Sequence, residues 1–261
     1  MKQPTVSLLR DDGPQAVLLI VGPSLGTAVT PLWDACARAL AGPVTVVGWD
    51  LPGHGRSVPD PDPFTIADLA TVVWSATSAV REEHSAAPYY AGVSLGGTVG
   101  LQLAIDHGTE LAGVAPVCSG AKIGTPEGWH DRATLVRRAG TPVMVSGSAQ
   151  RWFASGFLER DPGTGTTLLN GLQHTDKESY AACCEALAAF DARNSLSDIR
   201  IPVLAVAGDH DEVTPLSFAE EIAAGTNGQA ALITGAAHLA PAEQPAAVAA
   251  LLDTFLTKEI R

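Results

Sequence analysis

The segment GVSLGG, residues 92–97, presents a single serine between closely spaced glycines. Gly92, Ser94 and Gly96 satisfy the pattern G-x-S-x-G, and they lie between an apolar run that ends at Val93 and a helix-like run. A serine in a strand-to-helix turn has a strained backbone, and flanking glycines remove the Cβ clashes that would oppose the turn. The N-terminus of the next helix can also stabilise a developing anion. The pattern therefore predicts that Ser94 is a nucleophile and not merely part of a packing turn.

A serine hydroxyl needs a positioned base, and the base needs an acid that orients it. In enzymes with this type of turn the acid precedes the histidine in the chain. The segment AVAGDHDEVTP follows one predicted strand and offers Asp209 and Asp211, while ITGAAHLAPAEQP follows the last strand and offers His238. Ligands of open α/β sheets bind at the carboxyl ends of the strands, where these side chains would converge. We predict His238 as the base and Asp211 as the acid, with Asp209 as the alternative because aspartate also commonly forms turns.

Acyl transfer also requires N–H donors for the tetrahedral oxyanion. One donor is typically the amide that follows the nucleophile, here Leu95, and the second comes from the loop after an early strand. That loop is VGPSLGT, residues 21–27, with Ser24 and Leu25 at its centre. We therefore predict the Leu25 and Leu95 amides as the oxyanion donors.

The elements that must position these residues alternate between short apolar runs and longer helix-like segments. Strands are predicted at 16–21, 44–49, 88–93, 111–117, 202–208 and 230–235, and helices at 31–41, 65–84, 97–107, 215–224 and 241–257. The strand runs are almost continuously apolar, which is typical of a parallel sheet that helices cover on both faces. The sequence thus predicts the α/β class with a mostly parallel, doubly wound sheet.

This alternation stops between 121 and 196, where the pattern is helix-like and no convincing strand occurs. An insertion between two sheet strands is expected to form a helical cap over the ligand-binding end of the sheet. We predict a core made of 1–120 and 197–261 with a cap at 121–196. Trp129 and Trp152 belong to this insertion and are candidates for the pocket wall, although each could equally be an ordinary core aromatic.

Composition limits the possible partners and the compartment. The chain of 261 residues has a net charge of −12 and no Lys/Arg run denser than VRR at 136–138, so we expect no nucleic-acid partner. Its longest apolar run, AVLLIVG, is too short to cross a bilayer, and no signal peptide is recognisable. The four cysteines lack C-x-x-C spacing, which favours buried thiols in a reducing, cytoplasmic compartment. We find no metal-binding or phosphate-binding motif and predict no metal.

Four segments together resemble the α/β-hydrolase superfamily: DLPGHGRS, GVSLGG, AGDHDEVTP and AAHLAPAEQP. Four others are similar to the 3-oxoadipate enol-lactonases of the β-ketoadipate pathway: SLGT in the first loop, CSGAKIGTPEGWHDR, RWF at 151–153 and SYAACCEALAAFDAR. The family more commonly has SNSLGT where this chain has GPSLGT. The resemblance covers nearly the whole chain and implies an α/β-hydrolase fold with an inserted helical cap.

The resemblance also implies a triad of Ser94, Asp211 and His238, with amide donors at Leu25 and Leu95. It implies that the substrate is a small five-membered enol-lactone with an acetate side chain, and that no cofactor takes part.

The cap is then expected to select this substrate. Ser24, Trp129, Arg132 and Trp152 are the candidate substrate-binding residues. For the substrate carboxylate, Arg132, Lys122, His130 and Arg151 all remain open.

Two other functions use the same fold. A general esterase or a cofactor-free perhydrolase would use the same three residues, but the segments that resemble the lactonase cap argue against this alternative. A ligand receptor on a hydrolase scaffold often lacks one residue of the triad, whereas all three are available here.

Overall fold

A twisted sheet forms the centre of the protein, whose structure is a computed structural model that describes residues 1–257. Within these residues the strands are β1 (Val6–Arg10), β2 (Val17–Gly22), β3 (Val44–Trp49), β4 (Tyr89–Val93), β5 (Gly113–Val117), β6 (Leu204–Gly208) and β7 (Gln229–Ile233). Their order is β1-β3-β2-β4-β5-β6-β7, and β1 is antiparallel to β3 while the other neighbouring pairs are parallel. The predicted α/β class with a mostly parallel sheet is confirmed.

Helices cover the sheet. In the described chain they are α1 (Val29–Ala39), α2 (Ile66–Ala76), α3 (Ser78–Glu83), α4 (Leu95–Asp106), α5 (Pro126–Ala139), α6 (Val145–Trp152), α7 (Phe157–Arg160), α8 (Pro162–His174), α9 (Lys177–Ala189), α10 (Leu216–Thr226), α11 (Ala240–Glu243) and α12 (Pro245–Thr257). Every residue of β3, β4, β5 and β6 is buried, as expected when helices pack on both faces of a parallel sheet. None of the helices within residues 1–257 is long and apolar enough to span a membrane.

The structure differs from the sequence prediction in three elements. The predicted helix 241–257 is two helices, α11 and α12, which are separated at Gln244 (φ −134°, ψ 58°). The edge strand β1 was not predicted, because its sequence VSLLR is short and it leaves Leu8 59% exposed, without the continuous apolar character of the inner strands. The predicted helix 65–84 is two helices, α2 and α3, which meet at Thr77. The hydroxyl of Thr77 donates hydrogen bonds to the carbonyls of Val73 and Trp74, and its backbone (φ −95°, ψ 3°) interrupts the α-helical geometry.

Between β5 and β6 the described chain contains helices and no strand, from α5 to α9. α5 packs along α9, and Arg137 on α5 pairs with Glu178 and Glu185 on α9. Trp152 and Leu172 of this segment lie against Gly26, in the loop that leaves the carboxyl end of β2. The helical segment therefore lies over the ligand-binding end of the sheet. The predicted core segment 197–261 extends to residues 258–261, which lie outside the described residues.

Two glycines allow β4 to turn sharply into α4. A Cβ atom on Gly92 would lie 2.3 Å from the carbonyl carbon of Gly96, and a Cβ on Gly96 would lie 2.5 Å from the carbonyl oxygen of Pro23. Both clashes are with backbone atoms, which cannot move aside as a flexible side chain can. The amide of Gly96 donates a 2.9 Å hydrogen bond to the Pro23 carbonyl and thereby joins this turn to the loop after β2.

Replacement of Gly92 with alanine is expected to destabilise the protein by roughly 2 kcal/mol or more, because the methyl group would force the β4–α4 backbone apart. Urea unfolding of the purified variant measures this loss. Gly171→Ala is the matched control, since Gly171 lies in α8 with open space where its Cβ would be. That control should gain about 0.5–1 kcal/mol from helix propensity. Equal stability of Gly92→Ala and the wild type would contradict the close approach.

Candidate active site

Ser94 occupies the sharp turn between β4 and α4. Its backbone angles, φ 56° and ψ −115°, lie in a region that residues with a side chain rarely adopt. Two hydrogen bonds hold this geometry: the Ser94 amide donates to the Val117 carbonyl at 3.0 Å, and the Ser119 hydroxyl donates to the Ser94 carbonyl at 2.7 Å. The neighbouring strand thus fixes Ser94 at the N-terminus of α4, with its side chain at the wall of a cavity.

His238 and Asp211 form a buried pair beside this cavity. His238 Nδ1 lies 2.9 Å from Asp211 Oδ2, and both residues are almost fully buried. The Asp211 carboxylate also accepts hydrogen bonds from the amides of Val213 and Thr214 and from the Thr214 hydroxyl. Burial alone raises the pKa of Asp211, but the nearby His238 and these hydrogen bonds outweigh it and lower the pKa to about 2. Asp211 is therefore ionised near neutral pH and can orient the imidazole.

Asp209, the alternative acid, has a different role in the structure. Its carboxylate accepts a 2.8 Å hydrogen bond from the Gly235 amide and lies 3.7 Å from His210, at the exposed surface. Asp209 is therefore a turn-forming residue that links the loops after β6 and β7, and the carboxylate that contacts His238 belongs to Asp211.

The amides of Leu25 and Leu95 are both available as donors. Leu95 is the first residue of α4, and Leu25 lines the cavity. Within residues 1–257 neither amide donates a hydrogen bond. The loop that carries Leu25 is folded by a bond from the Thr27 amide to the Ser24 carbonyl (3.0 Å) and by one from the Ser24 amide to the Thr27 hydroxyl (3.1 Å).

A cavity of about 250 Å³ lies between the sheet and the helical segment. Ser94 and His238 line it from the sheet side, together with the loop residues Ser24 and Leu25. The helical segment contributes the predicted substrate-binding residues Trp129, Arg132 and Trp152, as well as Ser148, Arg151 and Tyr180. The structure thus brings the reactive groups and the predicted binding residues to the same cavity.

Two guanidinium groups give this cavity a positive wall. Arg132 lies over the ring of Trp129, 4.6 Å from its centroid. Burial and the neighbouring Arg132 lower the pKa of Arg151. Neither arginine forms an ion pair with a carboxylate in the described part of the chain. An exposed glutamate, Glu212, lines the same cavity.

The other two candidate cations lie elsewhere. Lys122 pairs with Asp191 at 3.2 Å, and His130 is exposed and absent from the cavity wall. Of the four cations that the sequence offered for the substrate carboxylate, the packing of the helices places Arg132 and Arg151 at the cavity wall.

Sequence reasoning missed Tyr180 and Glu243. Tyr180 lines the cavity, and the buried His54 stacks on it with ring centroids 6.0 Å apart. His54 Nδ1 contacts the Pro52 carbonyl at 2.7 Å, and burial lowers its pKa to about 4, so His54 supports the loop as a neutral residue. Glu243 is buried near His238, and the only signal for it in the sequence is a carboxylate within the apolar segment AAHLAPAEQP.

Residues 1–257 contain no cluster of three or more His, Cys, Asp or Glu side chains with the spacing of a metal site. All four cysteines are buried and free. Ser94, His238 and Leu25 line the cavity, the imidazole of His238 contacts the Asp211 carboxylate, and the Leu95 amide follows Ser94 at the start of α4. Acyl transfer requires a hydroxyl, a base and amide donors of these kinds.

In comparisons with known proteins, this chain is similar to hydrolases, among them lactonases and an esterase. A sequence model described as the alpha/beta hydrolase family matches residues 17–251. A 3-oxoadipate enol-lactonase of Acinetobacter baylyi is 33% identical over 229 residues, which are 88% of this chain and 84% of that enzyme. The enol-lactonase structure from Burkholderia xenovorans LB400 is similar with a TM-score of 0.89 at 30% identity, covering 98% of this chain and 97% of that one. A pimeloyl-[acyl-carrier protein] methyl ester esterase of Photorhabdus laumondii is 24% identical over 261 residues, 96% of this chain and 95% of that enzyme.

The low pKa of Asp211 predicts how stability depends on pH. Its pKa in the folded protein, about 2, is below the ordinary 3.8, so the ionised group stabilises the fold above about pH 4 and loses this effect as the pH falls towards 2. The loss should be roughly 2 kcal/mol, measured as the free energy of unfolding in urea over that range. Asp211→Asn lacks the titrating group and should lose less over the same interval. Parallel curves for the two proteins would contradict the interpretation.

Proposed function

Since this chain belongs to the alpha/beta hydrolase family, we propose that it is a serine hydrolase that opens the ring of a small enol-lactone with a carboxylate side chain. The proposed substrate is 3-oxoadipate enol-lactone, and the proposed setting is the β-ketoadipate pathway in the cytoplasm. One observation carries the proposal: a small cavity joins Ser94 and His238 to the guanidinium groups of Arg132 and Arg151, which form no ion pair with a carboxylate in residues 1–257. The enol-lactonase relatives support the lactone as the substrate class.

In the proposed reaction the Ser94 hydroxyl oxygen attacks the lactone carbonyl carbon. His238 takes the hydroxyl proton on Nε2, because its Nδ1 is engaged with Asp211. Asp211 fixes this tautomer and stabilises the imidazolium that forms. The negative charge that develops on the carbonyl oxygen is stabilised by the amides of Leu25 and Leu95, and loss of one such donor typically raises the barrier by about 3 kcal/mol.

Collapse of the tetrahedral intermediate breaks the ring C–O bond and leaves an acyl group on Ser94. The departing oxygen is an enolate, which is a good leaving group. It takes up the proton from His238 to give an enol, and the enol then tautomerises to the ketone. A water molecule then attacks the acyl carbon while His238 accepts its proton, and the same proton returns to Ser94 as the free acid departs. The protons of both nucleophiles, the Ser94 hydroxyl and the water molecule, thus pass through His238. No other side chain has to change its protonation state.

The arginines distinguish this substrate from a neutral ester. Guanidinium groups bind carboxylates with charge-assisted hydrogen bonds, and these are stronger where water is excluded. Ser24, Ser148, Trp129 and Trp152 also line the wall, together with the exposed carboxylate of Glu212. At about 250 Å³ the cavity is smaller than the usual site for a drug-sized ligand, which suits a compact lactone.

Ser94→Ala should lower kcat on 3-oxoadipate enol-lactone by about 10⁴-fold or more, because it removes the nucleophile that the other groups serve. The loss of ultraviolet absorbance as the lactone is hydrolysed measures this rate. A folded wild type that hydrolyses simple esters but not the lactone would indicate a general esterase, and undiminished turnover by Ser94→Ala would exclude the proposed nucleophile.

Arg132→Gln and Arg151→Gln should each raise KM for the anionic lactone, roughly 10-fold or more, because a buried charge-assisted bond contributes about 1.5–3 kcal/mol. Neither should alter KM for a neutral ester of similar size. Arg138→Gln, an exposed residue on the same helix as Arg132, is the matched control. Unchanged KM for the lactone in both cavity variants would show that the carboxylate binds elsewhere.

A further inference from the structure

A buried carboxylate lies behind His238, apart from the residues that line the cavity. Glu243, at the end of α11, is only 4% exposed. Burial raises the pKa of Glu243, while hydrogen bonds from three backbone amides and the nearby His238 act in the opposite direction. No lysine or arginine in the described chain forms an ion pair with this carboxylate. A buried carboxylate without a cation is costly, and the contacts that offset the cost indicate its role.

One oxygen of Glu243 holds the backbone on both sides of His238. Oε1 accepts a 2.9 Å hydrogen bond from the amide of Ala237 and a 3.3 Å bond from the amide of Leu239. These are the residues immediately before and after His238. The imidazole is thus restrained twice, by Asp211 through its side chain and by Glu243 through its backbone.

The other oxygen of Glu243 binds the helical segment. Oε2 lies 2.6 Å from the amide of Ala154, two residues beyond the end of α6. A second hydrogen bond also connects the His238 loop to the helical segment, because the Leu239 amide donates to the carbonyl of Trp152 at 3.2 Å. Trp152 forms part of the cavity wall, so Glu243 connects the wall that contacts the substrate to the loop that carries the base.

We propose that Glu243 is a positioning residue for the reaction: it fixes His238 relative to Ser94 and holds the Trp152 side of the cavity in register with them. This inference rests on the proposed function, in which His238 is the base. A carboxylate suits the task because each oxygen only accepts hydrogen bonds and all of its partners are N–H donors. A glutamine has the same shape, but its NH₂ group would face either the Ala154 amide or the amides of Ala237 and Leu239, and a donor cannot accept their hydrogen bonds.

A displacement of about 1 Å at a reacting group can cost on the order of 100-fold in rate. Glu243→Gln is therefore expected to slow steps that need His238 and to leave initial binding almost unchanged. Glu220→Gln is the matched control, since Glu220 is an exposed glutamate on α10. Glu243→Asp keeps the charge but withdraws it by one methylene, and it should give an intermediate loss.

The test uses a fluorophosphonate that modifies an activated serine, because its reaction does not depend on the lactone. For Glu243→Gln we expect the maximal labelling rate of Ser94 to fall roughly 10- to 100-fold, with less than about a 3-fold change in the half-saturating concentration. kcat for the lactone should fall by a similar factor. Labelling of a folded Glu243→Gln at the wild-type maximal rate would overturn the inference. A variant that changes only the half-saturating concentration of the fluorophosphonate would overturn it as well.

Two further readouts separate the possible failures. If the wild type is not labelled, the proposed nucleophile is wrong, and this result is distinct from a failure of Glu243 alone. If the variants do not fold, hydrogen exchange of the wild type still tests the contacts. The amides of Ala154, Ala237 and Leu239 should then exchange slowly and at similar rates, and rapid exchange of all three would overturn the inference.

Discussion

The close approach of the backbone around Gly92 and Gly96 is the constraint on which the rest of the site depends. There is no room for a Cβ at either position, so β4 can turn into α4 within a single residue, and Ser94 adopts its positive φ. The same approach lets the Gly96 amide reach the carbonyl of Pro23. A backbone hydrogen bond therefore joins the turn that carries Ser94 to the loop that carries the Leu25 amide. In the proposed reaction this would suit preorganised donors, because little reorganisation would remain for the reaction itself.

Charged groups are distributed unevenly around the cavity. The chain carries a net charge of −12, and the Asp211 carboxylate next to the cavity is engaged by hydrogen bonds with His238 and Thr214. The helical segment contributes Arg132 and Arg151 to the cavity wall, and neither pairs with a carboxylate among the residues that the structure describes. In the proposed reaction this arrangement would attract the carboxylate of the substrate to the two arginines and leave its ring near Ser94.

Much of this could be predicted from the sequence because the deciding interactions are local. Continuous apolar runs identified the inner strands, and the spacing of Gly92, Ser94 and Gly96 identified the turn. The edge strand β1 and the break at Thr77 were missed, since a half-exposed edge and a hydroxyl bond to the preceding turn leave little trace in hydropathy. Long-range contacts decided the rest: Asp209 and Asp211 are equivalent in sequence until one of them meets His238, and only the packing of separate helices distinguishes Arg132 and Arg151 from other cations.

The helical segment is tied to the loop that carries His238 and is not an independent cover. Its contacts with the core include a buried carboxylate that also binds the amides on both sides of His238, and the carbonyl of Trp152 lies close to one of those amides. A motion that lifted Trp152 from the cavity would have to break these bonds or draw the His238 loop with it. Trp152 and His238 therefore hold their positions together. In the proposed reaction, changes in the helical segment that spare the contacts of Ala154 and Trp152 would leave His238 in place, whereas changes at that junction would displace it.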